Sequence, residues 1–136
     1  MSLHLDASAI VAILAHEPES TRFSQRVEWE TDRITSAVSV WEATRGLAGA
    51  RGIEFDEARG IVAEYLRDFQ VRLVSIGADE AKLALDAHQR FGKGRHPATL
   101  NLGDCFAYAC AKKHADEILF KGEHFIHTDL QDAMLP

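Results

Sequence analysis

The chain has 136 residues, a mass of 15.1 kDa and a formal net charge of −6, with 46% apolar and 26% charged residues. These are the values of one globular domain, which at this size buries roughly two-thirds of its unfolded surface without disulfide or metal staples. They exclude a disordered, collagen-like or disulfide-framework chain, and a basic coat for indiscriminate nucleic-acid binding.

In chain order, Ser2 to Asp6 alternates around Leu3 and Leu5 and predicts a short strand. Ala7 to His16 predicts a helix, Pro18 interrupts it, and Ser20 to Trp29 predicts a second. Arg33 to Ala37 reads as a strand, and Val38 to Ala50 as a helix stopped at Gly52. Phe55 to Phe69 has apolar residues at 58, 61, 62, 65, 66 and 69, a helical period. Val71 to Ile76 predicts a strand bounded by Gly77. Ala78 to Phe91 predicts a helix with Asp79 and Glu80 in its first turn, where negative charge suits the helix dipole. Gly92 to Asn101 reads as a loop and Leu102 to His114 as an apolar helix. Ile118 to Phe120 reads as a strand, and Phe125-Ile126 as a last one. Cys105 and Cys110, five apart, point about 140° away from each other on a helix, so no bridge joins them. With free thiols and no secretory signal, the expected compartment is the cytoplasm. The apolar stretch 7–15 is broken by Ser8 and too short to cross a membrane.

Strands alternating with helices predict an α/β fold with a parallel sheet, whose site lies beyond the carboxyl ends of the strands. Four acids fall at such places. Asp6 lies between the first strand and its helix, Glu42 soon after the second strand, Asp104 at the start of the most apolar helix, and Asp129 near the end. Singly, each also reads as a helix cap, a first-turn charge or a turn residue. Together they bring mutually repelling carboxylates to one sheet edge, and a hard divalent cation relieves that repulsion. Such an ion activates water and stabilises the oxyanions of phosphodiester displacement.

The segments around these acids resemble PIN-domain ribonucleases of the VapC type, toxins of bacterial toxin–antitoxin pairs. The resemblance covers nearly the whole chain, 1–136, as a single PIN domain. It rests on Leu5-Asp6-Ala7-Ser8-Ala9, on Ser36 to Glu42, on Phe91-Gly92-Lys93-Gly94-Arg95-His96-Pro97-Ala98 running into Leu100 to Ala109, and on Leu119-Phe120-Lys121-Gly122 with Phe125 and Thr128-Asp129. It implies a three-layer α/β/α sandwich around a short central parallel sheet, and Mg²⁺-dependent endoribonuclease activity with Mn²⁺ as the alternative ion. It also implies a homodimer and inhibition by a VapB-type antitoxin. Asp6 and Asp104 become metal ligands, Glu42 completes the shell directly or through water, and Asp129 contributes to the outer acids. One position departs: His124, preceded by Glu123, stands where the family commonly has Asp before Phe. Glu123 or Asp129 then fills the fourth acid position, or His124 coordinates a softer ion.

On this reading water attacks in line and leaves a 5′-phosphate and a 3′-hydroxyl. Lys93 and Arg95 hold the RNA backbone, or Arg95 or His96 braces the loop or the neighbouring helix, and Ser8 and Asn101 either support the carboxylates or cap helices. Trp29, Trp41 and the seven Phe read as core or interface. The stripe of 55–69 offers apolar contacts to the antitoxin, with an antitoxin Arg reaching the acids. A receiver domain would need paired acids after the first strand and an Asp after the third; Asp6 stands alone and Ser75-Ile76-Gly77 follows the third. A PIN domain that has lost catalysis and only binds RNA or antitoxin is the competing reading.

Overall fold

Every strand of the sheet is parallel to its neighbours, so each connection must cross over through a helix. The computed structural model describes residues 2–135. The elements are β1 (Ser2–Leu5), α1 (Ala7–Leu14), α2 (Ser20–Trp29), β2 (Asp32–Ser36), α3 (Ala37–Arg51), α4 (Phe55–Asp68), β3 (Arg72–Val74), α5 (Ala78–Phe91), α6 (Leu102–His114) and β4 (Glu117–Leu119). The sheet order is β3-β2-β1-β4. The register pairs His4 with Ile34 on one side and Ile118 on the other, which puts β1 at the centre.

Alternation along β1 separates the two cores. Leu3 and Leu5 pack with Ile10, Phe23, Val27 and Tyr65, the layer of α1, α2 and α4. Ile118 packs with Ala84, Phe91, Leu100 and Tyr108, the layer of α5 and α6. The result is the expected α/β/α sandwich. α3 packs on α1, α4 and α6.

The strand-to-helix junctions are abrupt because polar side chains cap them. The Asp6 carboxylate accepts the Ser8 amide at the start of α1, and Ser36 Oγ accepts the Ser39 amide at the start of α3. α3 therefore begins at Ala37, which the sequence assigns to the strand. Gly52, at φ 61, ends α3 in the left-handed conformation expected of it. α1 stops at Leu14, two residues early, and His16 turns left-handed at φ 55.

Two expectations need correction. Val71 to Ile76 contributes only the three residues of β3, an edge strand whose partner offers Ile34 to Ser36. Phe125-Ile126 is not a strand: Phe125–His127 is a 3₁₀ turn. Thr128 closes it by donating from both its amide and its hydroxyl to the Phe125 carbonyl, and the buried Phe125 ring stands edge-on to Phe120. Within 92–101, a bridge joins Gly92 to Leu100.

Candidate active site

The carboxyl ends of β1 and β2 and the amino end of α6 meet at one edge of the sheet, and three of the four predicted acids meet there. Asp6 leaves β1 buried at 6% exposure. Its Oδ2 accepts from the Ser8 amide at 3.1 Å and from Ser8 Oγ at 2.6 Å. Ser8 Oγ in turn accepts the Lys121 amide at 3.0 Å, which ties the segment after β4 to this edge. Burial pushes the Asp6 carboxyl above its ordinary range; the Ser8 hydrogen bonds oppose that, and the nearby Asp104 charge adds to it.

Asp104 sits in the first turn of α6 inside a reciprocal cap. Its amide donates to Asn101 Oδ1 at 2.9 Å, and its Oδ2 accepts the Asn101 amide at 3.1 Å. Asn101 is thus a helix cap. The same Oδ2 lies 2.7 Å from His124 Nδ1, so the residue that departs from the family pattern rests directly on this acid.

Glu42 reaches the pocket from α3. Its carboxylate lies against Gly103, where a Cβ atom would fall 2.0 Å from Oε2. Only a residue without a side chain admits that approach. Glu42 is half-buried, and among the described residues no donor hydrogen-bonds to its carboxylate. Burial first, then the charges of Asp6 and Asp104, push it up to about 7. A desolvated carboxylate with no donor, beside two more carboxylates, fits a hard cation with oxygen ligands. Among the described residues no group of three or more His, Cys, Asp or Glu side chains is placed to hold a metal ion by itself, so water would have to complete the shell of an ion held here.

Asp129 lies elsewhere, in departure from the sequence expectation. Its Oδ1 accepts from Tyr108 Oη at 2.6 Å and its Oδ2 from Lys112 Nζ at 2.8 Å, with Arg90 at 3.7 Å. Tyr108 and Lys112 stand one and two turns along α6 from Asp104. The cause is the path of the chain: Asp132 bridges in parallel to Ile118, so Asp129, three residues earlier, lies toward the amino end of β4. Burial raises the Asp129 carboxyl, but the Lys112 and Tyr108 hydrogen bonds outweigh it and hold the carboxyl low.

In the basic loop, Lys93 and Arg95 are exposed and make no ion pair among the described residues. His96 braces the loop, accepting the Ala98 amide at Nδ1 and standing edge-on to Phe91. Trp29 and Trp41 are not core residues: they are 77% and 58% exposed. The apolar stripe of α4 is taken up internally through Ala58, Val62 and Tyr65. A cavity of about 590 Å³ beside α5 and α6 is lined by Leu85, Leu102 and Phe106 and by no acid.

A parallel α/β/α domain with one buried and two half-buried acids at the carboxyl edge of its sheet has the layout that the resemblance to PIN domains implies. The PIN domain family matches residues 3–130. The VapC ribonuclease Mb0640 of Mycobacterium bovis is 41% identical, over 97% of this chain and 98% of the relative. A Ribonuclease VapC of Mycolicibacterium smegmatis is 39% identical over 93% and 95%. The crystal structure of Mycobacterium tuberculosis VapC20, a sarcin-ricin loop cleaving toxin, superposes with a TM-score of 0.73 at 17% identity, over 94% of this chain and 95% of that one. The chain belongs to the PIN domain family and, within it, to the VapC ribonucleases.

Proposed function

We propose that the chain is a metal-dependent endoribonuclease, the toxin of a VapBC-type pair, and that Asp6, Glu42 and Asp104 are its active-site acids. The observation that carries this reading is Glu42: a half-buried carboxylate without a donor, seated on Gly103 and raised to about 7 by its surroundings and by two neighbouring acids. The three acids would hold Mg²⁺, or Mn²⁺, which when bound supplies the positive charge that admits an RNA phosphate to this pocket and acidifies water there.

The protein's own groups do the rest. Ser8 fixes Asp6 Oδ2 through two hydrogen bonds. The cap with Asn101 fixes Asp104. Glu42 orients the attacking water or accepts its proton at its carboxylate. Lys93 and Arg95 hold the RNA backbone without reading sequence. A VapB-type antitoxin places a guanidinium among the acids. The working form is a homodimer in the cytoplasm. Among the described residues no helix is long and apolar enough to cross a membrane.

The test is incubation of antitoxin-free protein with total bacterial RNA in Mg²⁺, in Mn²⁺ and in chelator, beside an Asp6→Asn/Asp104→Asn variant. Discrete fragments with 5′-phosphate ends are expected from the wild type with metal only, and none from the variant. A 2′,3′-cyclic phosphate would reject the attacking water. No cleavage in either metal by protein that still binds its antitoxin would assign the chain to the non-catalytic reading, with His124 on Asp104 as its basis.

A further inference from the structure

Outside the acid pocket, the outer face of α3 carries an aromatic and a cation that the fold does not use. Trp41, Arg45 and Gly49 follow one another at four-residue spacing along that face, and all three are exposed. The Arg45 guanidinium lies 5.8 Å from the centre of the Trp41 ring, a cation–π distance. Among the described residues Arg45 makes no ion pair. With Glu42 and Gly46, these residues line a groove of about 380 Å³. Gly49 leaves its end open, since a Cβ there would meet nothing within 4 Å. The groove is therefore continuous with the active-site acid Glu42 and has an indole on its wall.

We propose that Trp41 and Arg45 form a subsite for a nucleotide of single-stranded RNA next to the scissile phosphate. The base stacks on Trp41, and Arg45 holds the base face or the adjoining phosphate. The inference rests on the ribonuclease reading above. Charge favours this occupant. A chain of net charge −6 repels RNA overall, so its grip must come from local cations near the cut. Arg45 supplies one on the Glu42 side, opposite in sign to the phosphate it would meet. The indole supplies the sequence-tolerant part, because every base has a face to stack. Trp29, the other indole, ends α2 just before β2 begins, at the far edge of the sheet from Trp41.

That separation gives the test. In an Asp6→Asn/Trp29→Phe chain, Trp41 is the sole indole and RNA is not consumed. Addition of short oligo(U) or oligo(A) should quench its fluorescence. In the otherwise wild-type enzyme with Mg²⁺ or Mn²⁺, Trp41→Ala should raise KM for single-stranded RNA about tenfold with kcat held, the loss of one stacked base. Trp41→Phe should restore most of the affinity, and Arg45→Ala should weaken binding in a salt-dependent way. Unmoved fluorescence together with an unchanged KM, in an enzyme that does cleave, would overturn the subsite and leave the ribonuclease reading intact. If Trp41→Ala instead halves the sedimenting mass while RNA leaves the fluorescence unmoved, the face binds a second copy of the chain and the proposal fails. A wild type that cleaves no RNA defeats the ribonuclease reading, and the fluorescence arm still scores the stack.

Discussion

An alanine at position 103 would place its methyl carbon 2.0 Å from Glu42 Oε2, 2.4 Å from Cδ and 2.5 Å from Oε1. The atom it strikes is the free end of a flexible side chain, so Glu42 moves and the backbone stays. Gly103→Ala should therefore separate stability from activity. Alanine favours a helix over glycine by up to about 1 kcal/mol, so the melting temperature should hold or rise. Displacing Glu42 by an ångström or more should lower kcat on the order of a hundredfold. Thermal melts and steady-state cleavage of one RNA substrate check both, and an undiminished kcat would remove Glu42 from the chemistry. The need for glycine here was not legible in the sequence, because it arises from a side chain on another helix. The acids themselves were legible, since Asp6 and Asp104 sit where helices begin and Glu42 in the second turn of a helix that starts at the same edge. The nearness of His124 to Asp104 was legible only through the family resemblance, which puts His124 at an acid position: twenty residues and a strand separate the two, and no period links them.

α6 acts as a ruler that keeps two acids apart. Asp104 sits in its first turn at the carboxyl edge, while Tyr108 and Lys112, one and two turns on, hold Asp129. Tyr108 is buried at 2% exposure, and burial, then its bond to Asp129, pushes its hydroxyl up to about 12. Asp129→Ala leaves that hydroxyl short of its acceptor, a loss of about 1 kcal/mol. The Lys112 and Arg90 pairs add little, because their side chains are 42% and 53% exposed and solvent screens them. The expected result is a melting temperature lower by a few degrees with kcat for RNA unchanged. A collapse of kcat at unchanged stability would return Asp129 to the catalytic set. The same scale shows why the element order could be read and some ends could not. The helical periods of α4, α5 and α6 are long enough to declare themselves. β3 is cut short by the length of its partner strand, and Phe125 is drawn into a 3₁₀ turn by a ring contact and a threonine hydroxyl. Both causes are tertiary.

Across the whole molecule, acid works against the fold at buried His4 and for it at half-buried Glu42 and at buried Asp6, whose carboxyl burial also raises. His4 lies at the centre of the sheet with both ring nitrogens unpartnered among the described residues. Burial, then the nearby His114, lowers it from 6.5 to about 4. In that window the unfolded chain binds the proton and the folded one does not. Stability present above 6.5 is therefore lost as pH falls toward 4, by about 3 kcal/mol at most. Glu42 has the reverse sign: its folded value of about 7 lies above the ordinary 4.5, so the folded chain takes up the proton first and gains stability as pH falls from 7 to 4.5. Metal-free wild type should thus lose little stability between pH 7 and 5, because these slopes oppose each other. Single variants should expose them. His4→Leu, an apolar side chain that leaves no ring nitrogen unbonded, should grow more stable on acidification over this range. Glu42→Gln should gain less or lose more than the wild type over the same range, with the raised Asp6 carboxyl still opposing His4. Denaturant melts of the three chains at pH 7, 6 and 5 in chelator measure this directly. Added Mg²⁺ should then raise the wild-type midpoint more at pH 7 than at pH 5, because protons compete for the same carboxylates. If Glu42→Gln and wild type instead show the same pH slope and the same response to Mg²⁺, Glu42 neither carries that proton nor helps to hold the ion, and the acid site reduces to Asp6 and Asp104.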